Sequence, residues 1–203
     1  MKKASIFLLL AVAAFAAYWF LIRKSDSKPS GEKQAAIAVK KHSDKFNTSV
    51  ANMMTAYFGM QNAFIDADTL KVKENCNKFI ALVDSVDFNE LKDDSAAVIQ
   101  NAKMFFSDAK ANAASLLTQK EILEMRKDFS MISESLYPAF KSINYTGATI
   151  YWQNCPMAFG EDKPANWISS TKEIMNPYMG KNHPEFKGTM LHCGEVKETL
   201  EGK

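Results

Sequence analysis

The stretch FNTSVANMMTAYFGMQNAF, residues 46–64, decides the fold of this chain. Its large apolar side chains recur every three or four residues, which is the spacing of one face of an α-helix. The pattern predicts a long first helix over about residues 35–66, with one buried face. The apolar side chains of this helix are Ile37, Phe46, Val50, Met53, Met54, Tyr57, Phe58, Met60 and Phe64.

Three further amphipathic segments follow along the chain. Their periodicity predicts helices over residues 66–86 and 93–117, and a fourth that ends near Phe140. The sequence TQKE places Thr118 and Glu121 at the spacing of a capping box, which predicts that the fourth helix opens there. Four such helices joined by short polar links predict a mainly α fold, an antiparallel four-helix bundle.

Single side chains within these segments also receive predictions. Leu70 and Cys76 fall at inward positions, and Cys76 is expected to be a small buried hydrophobic residue. Met131 falls at helical spacing and is expected to be core or partly core. His42 lies among charged residues and is expected on a solvated face. Pro138 falls near the end of the fourth helix, where proline kinks a helix.

The chain changes character after the fourth helix, so that residues 145–198 read as a loop-rich C-terminal cap on a domain spanning 35–203. Six of the eight glycines and four of the six prolines lie at position 147 or later. The sequence ATIYW is β-prone. We expect one short strand here, one helical turn near residues 169–175 and a terminal helix from about residue 194.

The N-terminal residues 1–24 carry a targeting signal. The uncharged run of residues 4–22 would span roughly 28 Å as a helix, close to the thickness of a bilayer core. It ends abruptly in Arg-Lys, which favours an uncleaved single-pass anchor in the cytoplasmic membrane with the domain in the periplasm. A cleaved signal peptide is the alternative, because Ala14-Phe15-Ala16 fits a cleavage site. The polar residues 25–34 read as a tether.

The composition and motifs exclude several classes of function. The net charge is only +2, without a dense basic tract, so we expect no nucleic-acid partner. The chain shows no nucleophile elbow, phosphate loop or His-Glu-x-x-His motif, and no Ser-His-Asp order. We therefore expect that the protein is not an enzyme.

Two of the three cysteines lie in the cap, within YWQNCPMAF (residues 151–159) and TMLHCGEVKE (residues 189–198). Thiolate and thioether sulfurs are soft ligands that favour Cu(I) or a similar ion. The candidate metal ligands are Cys155, Met157, Met190, His192 and Cys193. The alternative is a structural Cys155–Cys193 disulfide, which an oxidising compartment permits. A third reading is that both cysteines are free buried thiols, and the sequence leaves all three readings open.

Three ordered motifs carry a family resemblance: CPMAF, ANWISSTKEIMNPYMG and MLHCGEVKE. Together they resemble the bacterial domain of unknown function 3347, over roughly residues 35–200 and most strongly over 151–198. The resemblance implies a helical bundle with a cysteine-containing cap outside the cytoplasmic membrane. Members are also fused to periplasmic adaptors of copper/silver-type efflux systems, which implies a role in handling copper or a related metal.

Residues and resemblance together lead to one functional hypothesis and one alternative. The first is a membrane-anchored extracytoplasmic protein that binds Cu(I) or a similar ion for metal homeostasis or for handover to an efflux adaptor. The second is a structural or protein-interaction module that binds no metal and carries the Cys155–Cys193 disulfide.

Overall fold

The computed structural model describes residues 42–202, which form four α-helices followed by a small β-sheet. The helices are α1 (Asp44–Ile65), α2 (Thr69–Val83), α3 (Ala96–Thr118) and α4 (Ile122–Ser142). A short 3-10 helix, Phe88–Glu90, lies between α2 and α3. The mainly helical fold class is thereby confirmed. The predicted anchor of residues 4–22 and the tether of residues 25–34 lie outside the described residues.

Side-chain caps fix where the first three helices begin. Ser43 accepts the backbone N–H of Phe46 at 3.1 Å, and Asp68 and Ser95 cap α2 and α3 in the same way. These caps satisfy N–H groups that have no partner inside the helix. The prediction of a continuous helix from residue 35 is therefore wrong, because His42 and Ser43 precede the helix start at Asp44.

The predicted capping box at the start of α4 is also wrong. Thr118 is the last residue of α3, and its hydroxyl donates to the carbonyl of Ser115 at 2.7 Å. The N-cap of α4 is Glu121, whose side chain makes no capping hydrogen bond. Pro138 lies inside α4, and the helix continues beyond it to Ser142.

The helices pack in sequence order, α1 on α2, α2 on α3 and α3 on α4. The buried face of α1 contains every large apolar residue predicted for it from Phe46 onward except Phe58, which is half-buried. In α3, Ala102, Ala109 and Ala113 are fully buried, and their small side chains allow the neighbouring helices to approach closely. Cys76 is fully buried and its thiol donates to the carbonyl of Ala113 at 3.2 Å, which confirms its predicted core position.

Three predicted burial assignments are wrong. Leu70 is 80% exposed, because α2 starts at Thr69 and its first turn projects into solvent. Met131 is 51% exposed on α4. His42 is buried instead of solvated. Its backbone N–H donates to Thr146 Oγ1 at 3.3 Å and its ring packs 5.2 Å from that of Phe46. His42 thus lies against the segment that follows α4.

The cap contains a three-stranded antiparallel sheet in the order β2-β1-β3. The strands are β1 (Ile150–Cys155), β2 (Ala165–Ser169) and β3 (Glu195–Leu200). The predicted single strand and the predicted terminal helix from residue 194 are therefore wrong. Residues 195–200 are extended because they hydrogen-bond to the free edge of β1. The predicted helical turn near residues 169–175 is absent, since residues 170–173 form bends.

The sheet is tied to the helices through one of its faces. Trp152 of β1 stacks on Tyr137 of α4, with ring centroids 4.3 Å apart and an interplanar angle of 6°. Asn166 of β2 donates to Glu134 of α4 at 2.7 Å. Side chains alternate along a strand, so Cys155 projects from the opposite face to Trp152. The thiol-bearing face is thus left for the loops of the cap to cover.

A buried guanidinium joins α1, α4 and the cap. Arg126 of α4 is 4% exposed and donates to the carbonyls of Phe64 at 3.1 Å and Pro177 at 2.9 Å. Burial lowers the pKa of Arg126 to about 10, so its side chain still carries a charge at neutral pH. That charge lies beside the C-terminal carbonyls of α1, where the helix dipole favours a cation.

None of the helices within residues 42–202 combines the length and the apolar character that crossing a membrane requires.

Candidate functional site

The two cap cysteines meet although 38 positions separate them in the sequence. Their Sγ atoms lie 3.7 Å apart, and both thiols are free. Cys155 is fully buried, whereas Cys193 is half-buried. The structure therefore brings together the two sulfurs that the sequence placed in one candidate site.

Two local features place these cysteines. Cys155 is the last residue of β1, at a position opposite Ala165 of β2. Cys193 precedes Gly194, whose φ of +144° is a backbone conformation that side chains rarely allow. A Cβ at Gly194 would lie 2.6 Å from the carbonyl oxygen of Asn154. The glycine thus allows the Cys193 segment to pass close to β1 beside Cys155.

Asn176 holds the Cys193 segment from the other side. Its side chain is fully buried and its Nδ2 donates to the carbonyl of Cys193 at 2.7 Å. Its Oδ1 accepts the backbone N–H groups of Tyr178 at 2.9 Å and Met179 at 3.1 Å. Its own N–H donates to the carbonyl of Leu191 at 2.9 Å. One side chain therefore fixes two loops relative to each other.

Gln153 holds the start of the same loop onto β1. Its Nε2 lies 2.9, 3.3 and 3.1 Å from the carbonyls of Thr171, Lys172 and Glu173. Gln153 lies two residues before Cys155 and so shares its face of the strand. Sequence reasoning missed Gln153 and Asn176. The alternation along β1 would have pointed to Gln153, because a glutamine on the buried face of a strand needs polar partners.

The other candidate ligands lie on the two segments that carry the cysteines. Met157 lies in the turn after β1, and a backbone hydrogen bond of 3.0 Å from Cys193 N–H to the Met190 carbonyl closes the turn that contains Met190. Both methionines are half-buried and pack against the hydrophobic core. His192 is exposed, and its Nδ1 lies 2.8 Å from the carbonyl oxygen of Ile174. A ring that donates from Nδ1 has its Nε2 lone pair free.

The protonation of the thiols follows from their surroundings. Burial, together with the hydrogen bond to Cys155, raises the pKa of Cys193 to about 11. Burial raises the pKa of Cys76 to about 12, helped by the negative charge of Asp128. Both thiols are therefore protonated at neutral pH, and a metal ion that bound Cys193 would have to displace its proton.

The described residues hold no cluster of three or more His, Cys, Asp and Glu side chains arranged to bind a metal ion. A metal site here would therefore consist of the two thiolates plus ligands of another kind. The sequence places one thioether within three residues of each cysteine, Met157 after Cys155 and Met190 before Cys193.

A comparison with known protein families gives a match, which lies in the helical part of the chain. A family described as "Protein of unknown function (DUF3347)" has a model that matches residues 53–147. Residues 53–147 of the chain are similar to the DUF3347 family. The resemblance to DUF3347 is thereby confirmed for residues 53–147, a range that begins within α1 and ends before β1. The CPMAF and MLHCGEVKE motifs, and with them the thiol pair, lie outside the matched DUF3347 range.

No curated protein and no solved structure matches the chain significantly.

Proposed function

We propose that this protein binds a soft metal ion, Cu(I) or a similar one, through Cys155 and Cys193 in its cap. The observation that carries the proposal is the separation of 3.7 Å between the two Sγ atoms. An ion held at the zinc–sulfur distance of about 2.3 Å from each of two sulfurs 3.7 Å apart would see them at an angle of roughly 107°, which is close to tetrahedral. Two thiols so placed fit one ion without a large movement of the backbone.

The ligand chemistry supports a soft ion over zinc. Structural zinc sites normally take four Cys or His ligands. The described residues offer only two thiols here and no third Cys, His, Asp or Glu in a metal-binding arrangement. Met157 and Met190 are the thioethers nearest along the chain to Cys155 and Cys193, and thioethers select ions such as Cu(I). His192, with Nδ1 at the Ile174 carbonyl, would be a peripheral ligand through Nε2.

The remaining parts of the molecule take supporting roles in this proposal. The four helices form an antiparallel four-helix bundle that serves as a scaffold or as a docking surface for a partner. Residues 4–22 anchor the chain in the cytoplasmic membrane, with the domain in the periplasm. The partner is a periplasmic adaptor of a heavy-metal efflux system, which receives the ion, or the protein buffers the ion on its own.

A competition titration tests the metal proposal. The full chain, reduced and free of oxygen, is titrated with Cu(I) against a chromogenic chelator. We expect one ion per chain for the wild type and for the Cys76→Ser variant, which keeps both cap thiols. Cys155→Ser and Cys193→Ser should each lose that binding. Equal binding by all four proteins, or no binding by the wild type, would contradict the proposal.

A second candidate function rests on the same distance. Sulfurs 3.7 Å apart need to approach by less than 2 Å to form a disulfide of about 2.05 Å. Closing the intervening loop would stabilise the fold by roughly 3–4 kcal/mol on the chain-entropy model. The protein would then be an interaction module with a stapled cap. The protein is purified from an oxidising compartment, its free thiols are counted and its mass is measured. Only the Cys155–Cys193 disulfide gives a loss of two protons without bound metal.

A further inference from the structure

The two thiols of the cap differ in their access to solvent. Cys193 is half-buried in the turn closed by Met190, whereas Cys155 is fully buried at the end of β1. Cys193 is therefore the more accessible of the two cysteines to a dissolved molecule. The two sulfurs are nevertheless in contact at 3.7 Å, so a group attached to Cys193 would lie within reach of Cys155.

We propose that Cys193 and Cys155 form an ordered thiol–disulfide exchange pair whose substrate is a low-molecular-weight disulfide. In the first step Cys193 loses its proton to solvent, and the thiolate so formed attacks the substrate disulfide, forms a mixed disulfide and releases one thiolate, which takes up a proton. In the second step the Cys155 thiolate attacks Cys193 Sγ, forms the internal disulfide and releases the second thiolate. The two protein thiols are oxidised by two electrons, and one substrate disulfide is reduced to two thiols.

The geometry assigns different roles to the two sulfurs. Cys193 is the entry thiol because it has solvent access, and its segment is held in place by Asn176 and Gly194. Cys155 is the resolving thiol because burial shields it from the substrate while leaving it in contact with Cys193. Cys76 does not compete, because it is fully buried in the helical core and donates to the Ala113 carbonyl.

This exchange would regulate the proposed metal site, because the internal disulfide removes both thiolate ligands at once. That regulatory part rests on the proposed function, whereas the exchange itself needs no metal. A chain that exchanges but binds no Cu(I) would refute the proposed function alone. A chain that binds Cu(I) but does not exchange would refute this inference alone.

Trapping with oxidised glutathione tests the order of the steps. The full chain is reduced in detergent, freed of metal with a chelator, treated with oxidised glutathione and analysed by intact mass and peptide mapping. We expect the wild type to lose two protons and carry no stable adduct. Cys155→Ser should accumulate one glutathione on Cys193, and Cys193→Ser should react at least about tenfold more slowly. Cys76→Ser is the matched control and should behave as the wild type.

Three outcomes would overturn the proposal. They are equal labelling of the two cap-cysteine variants, a lasting glutathione adduct on the wild type, and no oxidation of the wild type at all. The variants Cys155→Ala and Cys193→Ala are measured in parallel, because a buried serine hydroxyl without a partner destabilises a core. Circular dichroism and a thermal melt confirm that each variant is folded before its labelling is compared.

Discussion

The hydroxyl of Tyr57 in α1 accepts a hydrogen bond from the backbone N–H of Ile168 in β2 at 3.0 Å. The same hydroxyl lies 2.7 Å from Ser133 Oγ of α4. Tyr57 is fully buried, and burial raises the pKa of its hydroxyl well above the ordinary value. One side chain of the first helix thus provides a polar partner for the sheet that carries Cys155.

Replacing Tyr57 by phenylalanine should destabilise the domain by about 1–3 kcal/mol, because it leaves the buried N–H of Ile168 without an acceptor. Chemical denaturation followed by circular dichroism measures the change. Tyr151→Phe is the matched control, since Tyr151 lies on β1 and is only half-buried. An equal loss in the two variants would show that the Ile168 hydrogen bond is not the cause.

Replacing Arg126 by methionine should cost about 2 kcal/mol or more, because the buried carbonyls of Phe64 and Pro177 both lose their donor. The neighbouring Lys127→Met is the control. Lys127 forms an exposed pair with Glu124, and such pairs contribute about 0–1 kcal/mol. Urea denaturation of both variants provides the comparison. If Arg126→Met is as stable as the wild type, the prediction is wrong. The free energy saved by not burying a charged guanidinium would then equal that lost with the two hydrogen bonds.

Stability should fall on mild acidification because of His42. Burial lowers the pKa of His42, and Asp94, whose Oδ2 lies 3.8 Å from Nε2, opposes that shift only in part. The unfolded chain therefore takes up this proton at a higher pH than the folded chain does. Stability contributed by neutral His42 is lost as the pH falls below about 6.5, down to the folded-state pKa.

Denaturation at a series of pH values tests this dependence on His42. His42→Gln cannot take up the proton, so the loss of stability between about pH 7 and pH 5 should become shallower. Asp94→Asn should make it steeper, because it removes the charge that favours the protonated ring. If the free energy of unfolding depends on pH in both variants as it does in the wild type, His42 is not the source of the acid sensitivity.

Gly194→Ala should separate the cap thiols. The added Cβ would meet the Asn154 carbonyl at 2.6 Å, in addition to the strain of a positive φ, which costs about 1–3 kcal/mol. Gly160→Ala is the matched control, because its φ is +115° but no atom lies within 4 Å of the added Cβ. We expect the internal disulfide to form more slowly in Gly194→Ala but not in Gly160→Ala. Titration of the remaining free thiols over time measures both rates. Equal rates would contradict the close approach at Gly194.

Asn176→Asp should weaken the coupling between the thiols with little change in side-chain volume. It removes the donor to the Cys193 carbonyl but keeps an acceptor for Tyr178 and Met179. In a glutathione redox buffer, the ratio of bridged to reduced chain should fall by about fivefold, equivalent to roughly 1 kcal/mol. Asn182→Asp, an exposed change in the same part of the chain, should leave that ratio unchanged. A ratio that also stays unchanged in Asn176→Asp would exclude a positioning role.

The helices were the predictable part of this fold, and their ends were not. The three-and-four spacing from Phe46 to Phe64 identified the buried face of α1, because helical periodicity follows directly from the residues. The start of α1 depends on Ser43, which caps the helix. The apolar pattern alone does not show this signal, because it continues upstream to Ile37. The TQKE sequence wrongly predicts a capping box at the start of α4. Thr118 is instead the last residue of α3, and its hydroxyl donates to a carbonyl of that helix.

The cap was less predictable because its structure depends on distant residues. The segment Glu195–Leu200 has no strong periodicity of its own and becomes a strand by pairing with β1. The contact of Cys155 with Cys193 was only a hypothesis from sequence, since no local pattern fixes the distance between two loops. The charged neighbours of His42 in the sequence predict that it is exposed to solvent. Its burial depends instead on a contact with Thr146, which lies far along the chain.

Trp167 gives the cap an intrinsic optical reporter. Its indole is fully buried, and its Cη2 atom is 3.1 Å from where a Cβ on Gly194 would stand, directly beside Cys193. A disulfide near an indole quenches tryptophan emission, because it accepts an electron from the excited ring. Events at the thiol pair should therefore register as changes in fluorescence intensity, without any attached dye and in real time.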